Sequence, residues 1–389
     1  MRRTIVLMMM LLLLLTGCGK KETQKPSAPI SEKETTQNTP SSPMKQVPMV
    51  AISLTVEKQT HKAEDETVLL NEIYQNISLI TPDPAVANNV ILDYYQKTDM
   101  SSEVDAMKTR AEDVYTEMPE IFHAYHSQVT YKPMRIDQGV LSLFGAYASY
   151  TGGVHGGAIG RSATYDLITS RLLTLEDILF ENPDADKLYA LTLNALSHRD
   201  DLFDGYETTV KDRFGKNFLQ DKDWYLSNSG LCFFFSPYEI GPYSAGIISA
   251  EIPYSQLAGV LDNAYFPAER EQTEGAVEIS AFNENALAQY SQFAEVVLKE
   301  GSDKILLHSD MGVYDIQIES GSWSSDGATF TPEYTVFACY ALTQSDAIMV
   351  DAPLTKTLPS LRVSYTTDGQ TVTYFIVGDG QSVSLKQIP

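Results

Sequence analysis

From residue 50 onward, apolar and polar positions follow two different periods, and the switches between them divide the chain. Residues 50–56 put Ile52, Leu54 and Val56 at every second position, the mark of a half-buried strand. Residues 68–79 read as a second extended segment. Between 84 and 118 the period lengthens. Val86, Val90, Tyr94 and Tyr95, then Val104, Met107, Ala111, Val114 and Tyr115, recur at helical spacing, and Ser101 or Ser102 is placed to cap a second helix. Residues 121–135 and 139–150 return to an extended pattern around a polar turn, and 158–168 add a third strand.

Thr174 followed by Glu176 and Asp177 predicts a capped short helix. A longer helix follows at 184–198 on Leu188, Leu191, Leu193 and Leu196. Asn228-Ser229-Gly230 separates residues 224–226 from the apolar run 231–235, which reads as a hairpin. A strand at 245–252 and a closing helix at 253–260 complete this part. The polar, acidic stretch 264–277 predicts a domain boundary. Beyond it, Leu287, Tyr290, Phe293, Val296 and Val297 predict a helix over 284–299. Short β runs follow at 304–307, 313–318, 334–342, 347–350, 361–366, 371–377 and 383–388, with Gly, Asp, Ser and Pro at the turns. They suggest a small β-sandwich or barrel-like module. The fold class predicted is α+β: antiparallel sheets with packed helices over 48–263, then a small, mostly β domain with a leading helix over 278–389.

The N-terminus carries a different pattern. Arg2 and Arg3 precede the apolar run 5–15, which is short for a bilayer span, and Leu14-Leu15-Thr16-Gly17-Cys18 ends it. This is the pattern of a bacterial lipoprotein signal, cleaved between Gly17 and Cys18 with the Cys18 thiol acylated. The alternative is an uncleaved anchor with an incidental cysteine. Residues 1–17 are thus the expected signal peptide. Residues 18–47 are the acylated cysteine and a disordered tether, too poor in large apolar residues to bury a core. The expected location is extracytoplasmic, on the outer face of the cell membrane, with lipid as the only membrane contact.

The chain has 389 residues and a formal charge of −23, which becomes −25 when Arg2 and Arg3 leave with the signal peptide. So acidic a surface disfavours nucleic acid and favours a cationic partner. Cys232 and Cys339 both sit in apolar runs. An extracellular location permits a disulfide between them, and burial as two free thiols is the other reading.

The sharpest local motif is Tyr150-Thr151-Gly152-Gly153-Val154-His155-Gly156-Gly157 between two strands. In a functional reading, His155 contacts a ligand and Gly152, Gly153 and Gly156 offer backbone amides to an anion. In a structural reading, the glycines only permit a tight loop. No Lys-Ser/Thr pair follows, so this is not a phosphate loop. His123 and His126 are three apart on an expected strand, on opposite faces, which disfavours a shared metal. The segment 233–246, Phe-Phe-Phe-Ser-Pro-Tyr-Glu-Ile-Gly-Pro-Tyr-Ser-Ala-Gly, is the densest use of the chain's 22 tyrosines. Its first half reads as a core strand. Its second half, with Tyr238 and Tyr243, is a packed corner or a contact surface. No catalytic residue, metal ligand or cofactor is assigned.

Taken in order, Tyr-Thr-Gly-Gly-Val-His-Gly at 150–156, Tyr165-Asp166-Leu167, Leu173 to Phe180, the run 233–246 and Ile252-Pro253-Tyr254 resemble the extracellular domain of RsiV-type anti-sigma factors. Certain peptidoglycan deacetylases share that domain in their N-terminal region. The resemblance spans about residues 48–262 and implies an α+β module of two consecutive units. In the anti-sigma factors this domain binds lysozyme, a cationic protein, at the cell surface. Here a lipidation signal replaces the transmembrane helix, and the deacetylase catalytic motifs are missing after residue 262. The expected function is therefore a surface-anchored, non-catalytic binding protein. Its partner would be a cell-wall fragment or a cationic protein such as lysozyme, met through Gly152, Gly153, His155, Gly156, Tyr238 and Tyr243. The alternatives are an envelope hydrolase acting on peptidoglycan, with His155 near its site, and a structural envelope protein without a soluble ligand.

Overall fold

The computed structural model describes residues 43–98, 100–299, 303–355, 357–378 and 382–387. Cys18, the signal segment and most of the expected tether lie outside them. The chain enters through β1 (Ala51–Lys62) and β2 (Val68–Ile80), a long hairpin. Helices α1 (Pro84–Thr98) and α2 (Ser101–Glu117) follow, as the lengthened period predicts. The cap of α2 differs from expectation: Met100 occupies that position and makes no side-chain capping bond. Strands β3 (Tyr125–Ile136), β4 (Val140–Tyr150), β5 (Gly157–Asp166) and β6 (Arg171–Leu172) come next. Because α1 and α2 carry the chain across, β3 lies parallel to β2, while β3, β4 and β5 are antiparallel neighbours.

A single turn, α3 (Leu175–Ile178), opens on a reciprocal capping box between Thr174 and Asp177. Helix α4 (Ala185–Leu196) is capped by the Asp184 carboxylate. Helix α5 (Tyr206–Arg213) has one buried residue, Val210, so its sequence carries no apolar stripe to reveal it. The strands β7 (Trp224–Leu226), β8 (Gly230–Phe235) and β9 (Ile248–Pro253) form a separate three-stranded sheet, with the expected turn at Asn228-Ser229. This sheet packs with α3, α4 and α5 around Phe233, Phe235, Leu188 and Leu196. The closing helix expected at 253–260 is only a 3-10 turn at Tyr254–Gln256. Gly259 at φ +71° breaks the helical path, and Leu261 bridges back to Leu179.

The remainder comprises β10 (Val277–Ala281), α6 (Glu284–Leu287), β11 (Gln292–Val297), β12 (Asp303–Ser309), β13 (Val313–Trp323), β14 (Phe330–Leu342), β15 (Asp346–Ala352), β16 (Leu361–Thr367), β17 (Gln370–Gly378) and β18 (Val383–Lys386). The helix expected over 284–299 is a single turn followed by a strand. Ala294 and Val296 are buried while Phe293 and Glu295 are exposed, so period two prevails, and β11 pairs in parallel with β15. The apolar residues at 287, 290, 293 and 297 only mimic a helical stripe.

Two observations revise the expected domain limits. First, β1 pairs on its other side with β14, Ala51 opposite Cys339 and Ser53 opposite Phe337. An eleven-stranded sheet thus runs β18-β17-β16-β13-β14-β1-β2-β3-β4-β5-β6, across the boundary expected at 264–277. Without β14, the edge of β1 would be an unpaired ladder. Second, order begins before residue 48. Met44 is buried, its N–H donates to the Met311 carbonyl at 2.8 Å, and Lys45 pairs with Glu271 at 2.9 Å.

The large sheet is covered in patches. Helix α1 packs Val90 and Tyr94 against Leu54, Leu143 and Tyr165, and α2 packs Met107 and Ala111 against Leu70 and Tyr125. A second sheet, β10-β12-β15-β11, lies against the C-terminal strands and buries Ile305, Ile348, Phe337 and Val363 between them. This is the sandwich the short β runs predicted, and the whole is α+β. Cys232 and Cys339 are buried free thiols in different sheets, so the disulfide reading falls.

Candidate functional site

The two motifs singled out in the sequence meet in space. Strands β4 and β5 are in register at Ser149 opposite Gly157, which leaves residues 150–156 to make the connection. Two of its glycines are required, for different reasons. Gly152 sits at φ +84°, a backbone region costly for other residues. Gly156 has no room for a side chain, because a Cβ there would lie 2.2 Å from the Ser149 carbonyl oxygen; the Tyr243 hydroxyl, at 3.4 Å, would be in ordinary contact. Gly153 is free of both constraints: a Cβ there would make only an ordinary contact.

The exposed His155 lies against the loop after β8. Its ring stacks on Tyr243 with centroids 4.4 Å apart and planes 22° from parallel. Its Nε2 lies 2.9 Å from the Tyr238 hydroxyl, and its Nδ1 lies 3.3 Å from the Gly156 carbonyl. One tautomer satisfies both contacts: Nδ1–H donates to Gly156, and Nε2 accepts from Tyr238. Protonation of the ring would force the Tyr238 hydroxyl to become the acceptor instead. Tyr238 and Tyr243 are 6.0 Å apart, so three rings form one cluster. Tyr238 is 55% exposed, and Val154 at the tip of the glycine loop is wholly exposed.

Tyr238 is held in an unusual posture. It has φ +70°, and its N–H donates to the Gly241 carbonyl. Beside it, the Glu239 carboxylate folds back to accept from the Ser236 N–H at 2.9 Å. Arg213, at the end of α5, underpins this turn. Its guanidinium forks onto the Asp221 carboxylate, donates to the Phe234 carbonyl at 2.6 Å, and lies within 3.3 Å of Asp223 and 3.9 Å of Glu239. It also covers the Phe235 ring at 4.7 Å. Burial pushes the Asp223 and Glu239 carboxyls above their ordinary range, against the pull of Arg213. Three carboxylates thus surround one guanidinium beside the cluster. Sequence reasoning passed over Arg213, because a lone arginine on a polar helix carries no signal of what it will support.

Tyr238, Tyr243, His155 and Gly156 are therefore brought together, and Gly152 shapes the loop. His123 and His126 take no part; His126 lies on β3 with its ring near Tyr150. Among the described residues, no three His, Cys, Asp or Glu side chains are disposed to hold a metal ion. Burial pushes the Cys232 and Cys339 thiols up to about 12, far from a nucleophile's range.

Residues 176–255, from α3 into the turn after β9, match a protein-family profile described as Protein of unknown function (DUF3298). Arg213, Tyr238 and Tyr243 fall inside that DUF3298 domain, and His155 precedes it. A solved DUF3298 family member from Bacteroides fragilis is similar at 18% identity, covering 55% of this chain and 94% of its own, with a TM-score of 0.41. A DUF3298 family protein from Pseudomonas aeruginosa is similar at 17% identity, covering 58% and 98%, with a TM-score of 0.36. No curated protein matches the chain.

Proposed function

We propose that this chain is a surface binding protein, held at the outer face of the cell membrane by an acylated Cys18, and that it engages a cationic protein such as lysozyme without chemical turnover. One observation carries the reading. Two loops far apart in sequence converge to present His155, Tyr238 and Tyr243 as an exposed ring cluster on a chain of formal charge −23. Both ring nitrogens of His155 are engaged by neighbours, as suits a positioned contact residue better than a free base. Tyrosine rings held rigidly provide contact area at little entropic cost, as at protein interfaces generally. The acidic surroundings would steer a cationic partner toward them, an effect that salt weakens.

The test is calorimetric titration of lysozyme into the soluble chain from residue 19 onward, at low and high salt. Saturable binding that weakens with salt, and falls at least tenfold in Tyr238→Ala and His155→Ala with unchanged melting, is the expected result. Heat from turnover of solubilised peptidoglycan, abolished by His155→Ala, would replace this reading with the hydrolase. Silence toward lysozyme at both salts would remove the lysozyme partner.

A further inference from the structure

A second site lies where the large sheet comes apart. The parallel pair β2–β3 keeps register only from Leu70 opposite Tyr125 to Tyr74 opposite Val129. Both strands continue beyond that point without each other. Gln75 fills the fork: its Oε1 accepts from the Tyr131 N–H at 2.7 Å, and its Nε2 donates to the Thr335 carbonyl at 2.8 Å. Above the fork, α1 gives way to α2. Between them opens a cleft of about 490 Å³, within the range of small-ligand sites.

Its lining has a consistent chemistry. Tyr74, Tyr95 and Tyr131 contribute rings, and Asn76 and Gln96 contribute exposed amides at the rim. Among the described residues, no Lys or Arg lines it. Its one carboxylate, Glu72, is engaged by His61 at 3.2 Å. Two of the tyrosine hydroxyls are already oriented. Tyr95 accepts from the Ile77 N–H at 2.7 Å, and Tyr74 accepts from the Gln59 amide at 2.9 Å, so each can still donate its own hydrogen to a ligand.

We infer that this cleft binds an uncharged oligosaccharide bearing acetamido groups. The apolar C–H faces of sugar rings suit the tyrosine rings. Hydroxyl and acetamido groups, which both donate and accept, suit the side-chain amides and tyrosine hydroxyls. The inference goes beyond the protein contact at His155 and uses none of its residues.

The experiment is titration of N-acetylchitotetraose into the full chain in detergent, with maltotetraose as the sugar lacking acetamido groups. Saturable binding of the first alone, indifferent to salt, is expected. The double variant Asn76→Ala/Gln96→Ala changes only exposed side chains, and it should weaken binding at least tenfold with unchanged melting. Tyr74→Phe, which keeps the ring, should weaken it several-fold, and His155→Ala should leave it intact. Absence of saturation, equal binding of maltotetraose, or full affinity in the double variant would each overturn the assignment. Lysozyme binding with no sugar binding would end this inference and leave the partner reading standing; the reverse would do the opposite.

Discussion

The His155 cluster and the Tyr74 cleft are built in opposite ways. The cluster is made by loops. At Gly156 the Ser149 carbonyl of the same hairpin leaves no room for one more carbon, and the Tyr243 hydroxyl of the second loop lies just in contact. The cleft is made by regular structure that stops pairing, with one buried amide, Gln75, bridging the strands it leaves apart. The first is an exposed display of rings, suited to a protein surface. The second is concave, suited to something small enough to enter. Steric fit carries the first and hydrogen-bond satisfaction the second, so the two should fail differently when altered.

The sharpest way to separate them starts at the cleft floor. Gln75→Leu would leave the Tyr131 N–H and the Thr335 carbonyl without their partner in the interior, at a cost of about 3 kcal/mol for two buried groups. A urea melt should show the loss, and the His155 contact should survive below the transition. At the cluster, Gly156→Ala sets a methyl against the Ser149 carbonyl and should cost about 2 kcal/mol while abolishing partner binding. Gly152→Ala meets open space and only the left-handed backbone penalty, so about 1 kcal/mol is expected, with weaker effects on binding. Equal losses at the two glycines would show that the close approach to the Ser149 carbonyl does not shape the loop that carries His155.

The two thiols belong to neither site. Buried and pushed up to about 12, Cys232 and Cys339 should resist iodoacetamide at pH 8 until the chain unfolds. An unfolded thiol ionises from its ordinary value of 9.0, below the folded value. The unfolded state thus sheds protons first, and stability should decline as pH rises from about 9 toward 12. Rapid labelling of the folded chain would show that these strands open more readily than the packed cores suggest.

How much of this could be read from the residues alone follows the same division. His155, Tyr238 and Tyr243 were visible because their glycine and proline settings are local and unusual. That they touch was not visible, because contact between residues 155 and 238 depends on how the three-stranded sheet lies against β5. The capping box at Thr174 was legible, since its whole mechanism fits within four residues. The stretch 284–299 misled because Leu287, Tyr290, Phe293 and Val297 imitate a helical stripe, while the pairing that makes β11 a strand comes from β15. Gln75 gave no sign at all. A glutamine in a strand looks like a solvated position until the fork between β2 and β3 is known.

The pairing of β1 with β14 also bears on how the chain reaches this structure. Synthesis delivers β1 first, with only β2 as an early partner. Its other edge waits until nearly the whole polypeptide has emerged, because Ala51 is matched to Cys339. Closing so long a loop is slow, and the waiting edge is open to wrong partners in the meantime. A chain shortened after residue 263 would hold every residue of the His155 cluster, yet it would leave that edge permanently bare. Its expected fate is aggregation.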